Sequence, residues 1–289
     1  KSIWPYAFEK CTNITSVTIP SSVTEIGMYA FSQCTGITSV TFEQNSQLKE
    51  IGYYVFSQCT SITSITIPSS VTAIGDSAFQ GCKSITSVSI PSSVTTIGGL
   101  AYEGCTHLQT VTIPSSVTTI GGRAFDGCTS ITSLLFESNS QLNSIEDSTF
   151  RGCTNITSVT IPTSVTRIGG SAFSGCSSIT DITIPTSVTT IERWVFSNCT
   201  SITSIIIPSS VTSIGSYAFS ECSSLQSVYI LSSNVTIGSY SFERCANISL
   251  ISTKQENNMT LPSVGNNLVV SFDGRYAIQR ISESSSGGG

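Results

Sequence analysis

Residues 14–34 read ITSVTIPSSVTEIGMYAFSQC. Ile14, Val17 and Ile19 are apolar, while Ser16 and Thr18 alternate with them. This period-2 pattern of mostly β-branched residues predicts a short strand with Val17 and Ile19 facing inward and Ser16 and Thr18 outward. Pro20 ends the pairing because it has no N–H to give to a ladder. Val23 and Ile26 open a second apolar stretch, read as a short strand on the other face, and Gly27 turns the chain. Ala30, Phe31 and Cys34 are then expected to return it through a tight helical turn, with Phe31 filling the core.

The stretch recurs. The cysteines stand at 11, 34, 59, 82, 105, 128, 153, 176, 199, 222 and 245, separated by steps of 23 or 25 residues. An aromatic precedes each by three positions: Phe8, Phe31, Phe56, Phe79, Tyr102, Phe125, Phe150, Phe173, Phe196, Phe219 and Phe242. A fixed period in this range predicts a solenoid whose units bury their apolar faces only against their neighbours. The aromatic row reads as a stacked core spine. A longer period is superposed: the Pro20 position lacks proline at Phe42-Glu43, Phe136-Glu137 and Ile230-Leu231, which are spaced 94 residues apart, as if a block of four units had been duplicated. The two 25-residue units carry their extra residues there, in EQNSQLKE (43–50) and ESNSQLNS (137–144).

Composition narrows the function. Only 10% of residues are charged and the net charge is −5, so nucleic acid is not an expected partner. No apolar run approaches the roughly 20 residues of a membrane span, so no direct membrane insertion is expected. The opening KSIWPYAFEKC matches the second half of a unit, with Ile3, Ala7, Phe8 and Cys11 aligned to Ile26, Ala30, Phe31 and Cys34. It is read as the start of a fragment, so the absence of a leader says little about compartment. Residues 1–250 form the expected solenoid. Residues 251–283 form a terminal cap with a hairpin at Asp273-Gly274, and 284–289 a flexible Ser/Gly tail.

The unit ITxVxIPxSVTxIGxxAFxxC resembles the BspA-like, or Treponema pallidum type, leucine-rich repeat, over residues 1 to about 250. Pro20, Ile26-Gly27, Ala30-Phe31 and Cys34 carry the match, with their counterparts in later units. The resemblance implies a curved right-handed solenoid, mainly β, with parallel strands on the concave face and short strands or helical turns on the convex side. It also implies a surface or secreted protein that adheres to host cells and to matrix proteins such as fibronectin. The chain departs from bacterial members in preferring Ile and Val to Leu and in its density of Ser and Thr.

The cysteines could suggest disulfides, but their number is odd and all occupy one place in the unit. Parallel inward side chains give poor bridging geometry, so buried free thiols bonded weakly to turn carbonyls are expected. A zinc site needs converging ligands, which a linear file with one histidine, His107, does not provide; His107 reads as a turn residue. No cofactor is expected. Sequons at Asn13, Asn155, Asn198, Asn234, Asn247 and Asn258 are compatible with a eukaryotic secretory route without establishing it. Asn198, beside Cys199, is expected to be hard to reach.

Two surfaces are candidates for binding. The second outward strand position runs Thr18, Thr41, Thr66, Ser89, Thr112, Leu135, Thr160, Thr183, Ile206, Tyr229 and Ser252, a row of hydroxyls broken by three apolar residues. Apolar residues that interrupt an exposed polar row mark contact sites, which singles out Ile206 and Tyr229, with Thr160, Asp181 and Thr183 beside them. A second row, in the return segment, runs Tyr6, Tyr29, Tyr54, Ser77, Leu100, Arg123, Ser148, Ser171, Trp194, Tyr217 and Tyr240. Its aromatics, Trp194, Tyr217 and Tyr240 above all, suit a sugar or protein contact. The favoured reading is an extracellular or cell-surface interaction module whose partner is a host protein or glycan. A structural spacer without a ligand is the alternative, and an ice-binding Ser/Thr array a remote one. An enzyme is not expected: Glu146, Asp147 and Glu192 come nearest to an acidic cluster, and a solvated edge accounts for them. The open first unit invites end-to-end self-association.

Overall fold

The computed structural model describes residues 1–248 and, as backbone, the strands Leu250–Thr253, Leu268–Val269 and Gln279–Arg280. The chain forms a leucine-rich repeat solenoid. Each unit contributes one long strand, such as Ser16–Ile19 or Thr110–Ile113, and one two-residue strand, such as Glu25–Ile26 or Thr119–Ile120. Most strands of each kind pair in parallel with their counterparts in the next unit: Val17 opposite Val40, Ile97 opposite Ile120, Ile205 opposite Val228. Of the expected inward residues Ile19 is buried, at 1% exposure, as is Val111 in a middle unit at 1%, and Val17, near the end of the array, is half-buried against the core, while Ser16, Thr18, Thr110 and Thr112 face solvent.

The return segment differs from expectation: it is a run of tight turns, and no helix occurs among the described residues. Tyr29 and Gln33 have φ of 58° and 59°, a left-handed conformation that no α-helix accommodates. The reason lies in where the N–H groups go. Those of Tyr29, Phe31 and Gln33 donate to the carbonyls of Tyr53, Val55 and Ser57 in the next unit. Those of Ala30, Ser32 and Cys34 donate to Gly27, Tyr29 and Phe31 three residues back. A helix would direct every N–H along its own axis and leave the neighbouring coil unsatisfied.

The core aromatics stack as a continuous spine, from 5.1 Å between the ring centroids of Phe8 and Phe31 to 5.8 Å between Phe173 and Phe196. The cysteines are free and, apart from half-buried Cys11, buried. Each buried thiol donates to the carbonyl of the core aromatic in the previous unit, as Cys59 Sγ does to Phe31 O at 3.0 Å and Cys128 Sγ to Tyr102 O at 3.1 Å. His107 sits in a turn with Nδ1 2.7 Å from Lys83 O. Asn198 is exposed, contrary to expectation: its left-handed backbone (φ 60°) turns the side chain outward while Cys199 enters the core.

The hydroxyl-rich composition is largely structural. Thr38, Thr86 and Thr180 give their hydroxyls to the carbonyls of Thr15, Thr63 and Thr157 in the preceding unit. Thr95 and Thr118 do the same on the short-strand side, and Ser70, Ser93 and Ser116 in the connecting loops. The short-strand ladder is interrupted between Ile26 and Glu50 and between Ile120 and Ser144, where the 25-residue units intervene. Toward the C-terminus Leu268–Val269 pairs antiparallel with Gln279–Arg280. The expected turn at Asp273-Gly274 lies outside the described residues.

Two stability effects are expected. Tyr102 replaces phenylalanine in the spine and its buried hydroxyl has no partner among the described residues. An unsatisfied buried hydroxyl costs about 1–3 kcal/mol, so Tyr102→Phe should raise the unfolding free energy measured in urea by about 1 kcal/mol or more. The thiols make the second. Burial raises the pKa of Cys59 and of Cys199 to about 12, and pushes Cys82, Cys105, Cys153 and Cys176 up as well. In the unfolded chain thiols ionise near about 8.5. The folded state therefore keeps protons that the unfolded state loses, so this stability is complete below about pH 8.5 and falls as pH rises toward 12. Each thiol adds up to about 1.4 kcal/mol per pH unit to that slope. Urea midpoints measured from pH 8 to 11 should drop steeply, and Cys105→Ala should have a shallower slope; a flat profile would contradict the burial.

Candidate functional site

The long-strand face begins with β-branched residues on the pleat, so the residue after each buried Val or Ile points to solvent. Thr18, Thr41, Thr66, Thr112, Thr160 and Thr183 are exposed there, and their hydroxyls have no hydrogen-bond partner among the described residues. They differ in this from Thr38 and Thr180, three positions before Thr41 and Thr183, which are tied to the coil behind them. Ile206 and Tyr229 stand on this row in parallel register, with exposures of 56% and 39%. Leu231, two residues beyond Tyr229, is 41% exposed and extends the patch. Sequence reasoning passed over Leu231; its signal was the third loss of proline at the end of the long strand.

Thr160 pairs with Thr183 and Ser158 with Asp181 in a separate two-stranded ladder, Ser158–Thr160 with Asp181–Thr183. Asp181 is exposed and in no ion pair among the described residues. The strand bearing Ile206, Ser204–Ile207, is not hydrogen-bonded as a ladder to Asp181–Thr183, although the two remain neighbours. The structure thus joins Ile206 and Tyr229 into one patch and sets Thr160, Asp181 and Thr183 beside it.

Trp194, Tyr217 and Tyr240 lie on the return turns and do not share that face. Their rings stack, at 5.6 Å between Trp194 and Tyr217 and 5.1 Å between Tyr217 and Tyr240, and the Arg193 guanidinium lies 5.2 Å from the Trp194 ring centre. Tyr6, Tyr29 and Tyr54 form a matching stack near the N-terminus. Every residue of this row is left-handed, from Tyr6 at φ 59° through Ser171 at 59° to Tyr240 at 59°. Between the two stacks lie charged contacts: Arg123 with Glu103 and Asp126, Arg151 with Asp126. Glu146, Asp147 and Glu192, read from sequence as a solvated acidic edge, converge on the guanidinium of Arg167 at 2.8, 2.9 and 2.7 Å.

A solenoid of parallel strands with an exposed repetitive face defines a leucine-rich repeat protein, and comparison with known proteins narrows the class. Residues 1–132 and 143–263 match the BspA type leucine rich repeat region. The chain belongs to this family. A leucine-rich repeat protein from Bacteroides ovatus is 28% identical, with a TM-score of 0.71 over 88% of this chain and 59% of its own. A leucine rich cell surface protein from Faecalibacterium prausnitzii is also 28% identical, with a TM-score of 0.53 over 89% of this chain and 84% of its own. A leucine-rich repeat protein from Eubacterium ventriosum is 26% identical, with a TM-score of 0.58 over 72% of this chain and 58% of its own. The chain therefore spans less than two thirds of the length of two of these three. No curated protein matches it. The scaffold is that of bacterial repeat proteins, one of them described as a cell surface protein, and marks the chain as a protein-interaction module.

The left-handed row carries a measurable strain. A residue with a side chain in this conformation costs about 1–2 kcal/mol that glycine does not. Ser171, whose side chain takes part in no ring stack and no ion pair among the described residues, should show the relief undiluted. Ser171→Gly is expected to raise the thermal midpoint and to add about 1 kcal/mol in urea unfolding.

Proposed function

We propose that this chain is the ligand-binding part of a cell-surface or secreted protein and adheres to a host protein through the patch formed by Ile206, Tyr229 and Leu231. The observation that carries the reading is the in-register exposure of Ile206 and Tyr229, on neighbouring strands of a face that, apart from the isolated Leu135, bears hydroxyls. Clustered exposed apolar and aromatic residues with a polar surround are what a protein contact uses as its anchor. Asp181, Thr183 and Thr160 supply the polar rim, with Asp181 favouring a partner that presents a cation. The affinity of one such patch is modest, so adhesion would depend on many copies displayed on one surface. Matrix proteins such as fibronectin are the first ligands to try, since the family resemblance points to them. The surface location of the F. prausnitzii relative supports the proposed placement.

The test is binding of the purified chain to epithelial cells and to immobilised fibronectin, beside Ile206→Lys/Tyr229→Lys. The parent should bind, and the folded double variant should lose at least tenfold in affinity, about 1.4 kcal/mol. Equal binding by both would remove the site from this face.

A further inference from the structure

The two 25-residue units build the same cleft twice. After the strand Ser39–Phe42, the loop 43–48 folds beside Thr66 and Pro68 of the next unit and borders a half-open cleft of about 360 Å³. After Ser133–Phe136, the loop 137–142 does the same beside Thr160 and Pro162 and borders a half-open cleft of about 400 Å³. In both, the glutamate accepts a backbone N–H from the preceding unit, Ser21 to Glu43 and Ser115 to Glu137, each at 2.9 Å. In both, the asparagine is left-handed, Asn45 at 57° and Asn139 at 60°. Gln47 and Gln141 donate their amides to those asparagine carbonyls, at 2.9 and 3.0 Å. Ser46 and Ser140 accept from the N–H of Leu48 and Leu142, at 3.3 Å, and each leucine is fully buried in the core. The loops are therefore rigid, and their geometry is one geometry.

Their persistence stands out against the return turns that follow them. Between the two blocks, F-E-x-N-S-Q-L is retained at 42–48 and 136–142, differing only at Gln44 and Ser138. The return turns that follow, GYYVFSQ at 52–58 and EDSTFRG at 146–152, share only the core Phe56 and Phe150. The retained residues are those that hold the cleft's shape, so it is the shape that has been kept while the nearby surface changed.

The cleft's chemistry restricts its occupant. Its walls carry no lysine, arginine or histidine and one carboxylate each, which disfavours anions. The side-chain amides of Asn45 and Asn139 and the hydroxyls of Thr66 and Thr160 are exposed, with no partner among the described residues. An amide both donates and accepts, as does a hydroxyl, which suits a ligand made of hydroxyl groups. The half-buried rings of Phe42 and Phe136, with Pro68 and Pro162, offer an apolar wall for the C–H face of such a ligand. The volumes lie at the small end of ligand pockets, about 300–1,000 Å³. The clefts are four units apart, so at the spacing of parallel strands they lie roughly 19 Å from each other on one edge.

We infer that the chain carries two neutral-glycan subsites, one at each insert loop, spaced to engage a single repeating polysaccharide chain. Leu135 stands at the second cleft where Thr41 stands at the first, which gives the second a larger apolar wall. This inference shares only Thr160 with the protein contact proposed above, and the tests at Asn45 and Asn139, which lie outside that contact, let either fail alone.

The experiment titrates the full chain with manno-, cello- and galacto-oligosaccharides and with galactomannan and cellulose-derived soluble polymers, using heparin as the anionic control. Asn45→Gly and Asn139→Gly remove the amide at a backbone position that glycine accepts, and Thr66→Val/Thr160→Val removes the hydroxyls with little change of shape. A neutral oligosaccharide should bind the parent at two sites, each single glycine variant at one, and the double variant at none. Loss of either site should weaken polymer binding roughly a hundredfold, the scale of lost avidity. Failure of every neutral probe to bind would overturn the inference. So would preference for heparin, or unchanged binding by both double variants with thermal midpoints equal to the parent's.

Discussion

The division of N–H groups in the return turn is the constraint from which the rest of the structure follows. Alternate donors go to the next coil and to the carbonyl three residues back, as at Tyr29 to Cys34. In this arrangement the third residue of the turns 27–30 and 31–34, Tyr29 and Gln33, is left-handed, and neighbouring coils are locked at the separation of hydrogen-bonded strands. At that separation the core aromatics stack face to face and each thiol meets the carbonyl of the aromatic behind it. The spine, the thiol file and the two strand ladders are therefore consequences of one backbone pattern, repeated.

The same pattern explains how strain is distributed. There are two left-handed positions per return turn. At the second, the middle units use glycine, Gly81, Gly104, Gly127, Gly152 and Gly175, with Gln, Asn, Glu, Lys or Arg toward the ends. At the first, glycine is never used, and the terminal units place Tyr or Trp there. Stacking offsets part of the cost in those units, since an aromatic pair contributes about 0.5–1.5 kcal/mol beyond burial. The aromatic stacks thus have a structural reason of their own, which is why the long-strand patch and the insert clefts carry the functional argument instead.

The hydroxyls divide in a comparable way. A sequence so rich in Ser and Thr suggests a uniform polar surface, but four ladders of hydroxyls among the described residues are committed to carbonyls of the preceding coil, represented by Thr38, Thr95, Ser93 and Thr154. The free ones concentrate on the row of Thr18, Thr41, Thr66 and Thr160. Recognition by this face would use that remaining row, interrupted by Ile206 and Tyr229. Charged residues of the middle units are likewise gathered into pairs around Asp126 and Arg167, whereas Asp181 is exposed and in no ion pair among the described residues.

The sequence by itself determined the period, the inward and outward positions of the strands, the aromatic spine and the reduced thiols. Each depends on spacing alone: a side chain that recurs every 23 or 25 residues in a solenoid must stack on its own copies. It also singled out Ile206 and Tyr229, because a break in a repeated polar row is visible without coordinates. The return segment was misread as helical because Ala30, Phe31 and Cys34 fit a helical spacing, and the competing bonds from Tyr29, Phe31 and Gln33 to the next coil are made between residues far apart in the chain. Leu231 joined the patch, and the loops at 43–48 and 137–142 became clefts, only through the unit stacked beside them. Pairing across units decides which side chains share a surface, and tertiary structure alone supplies that.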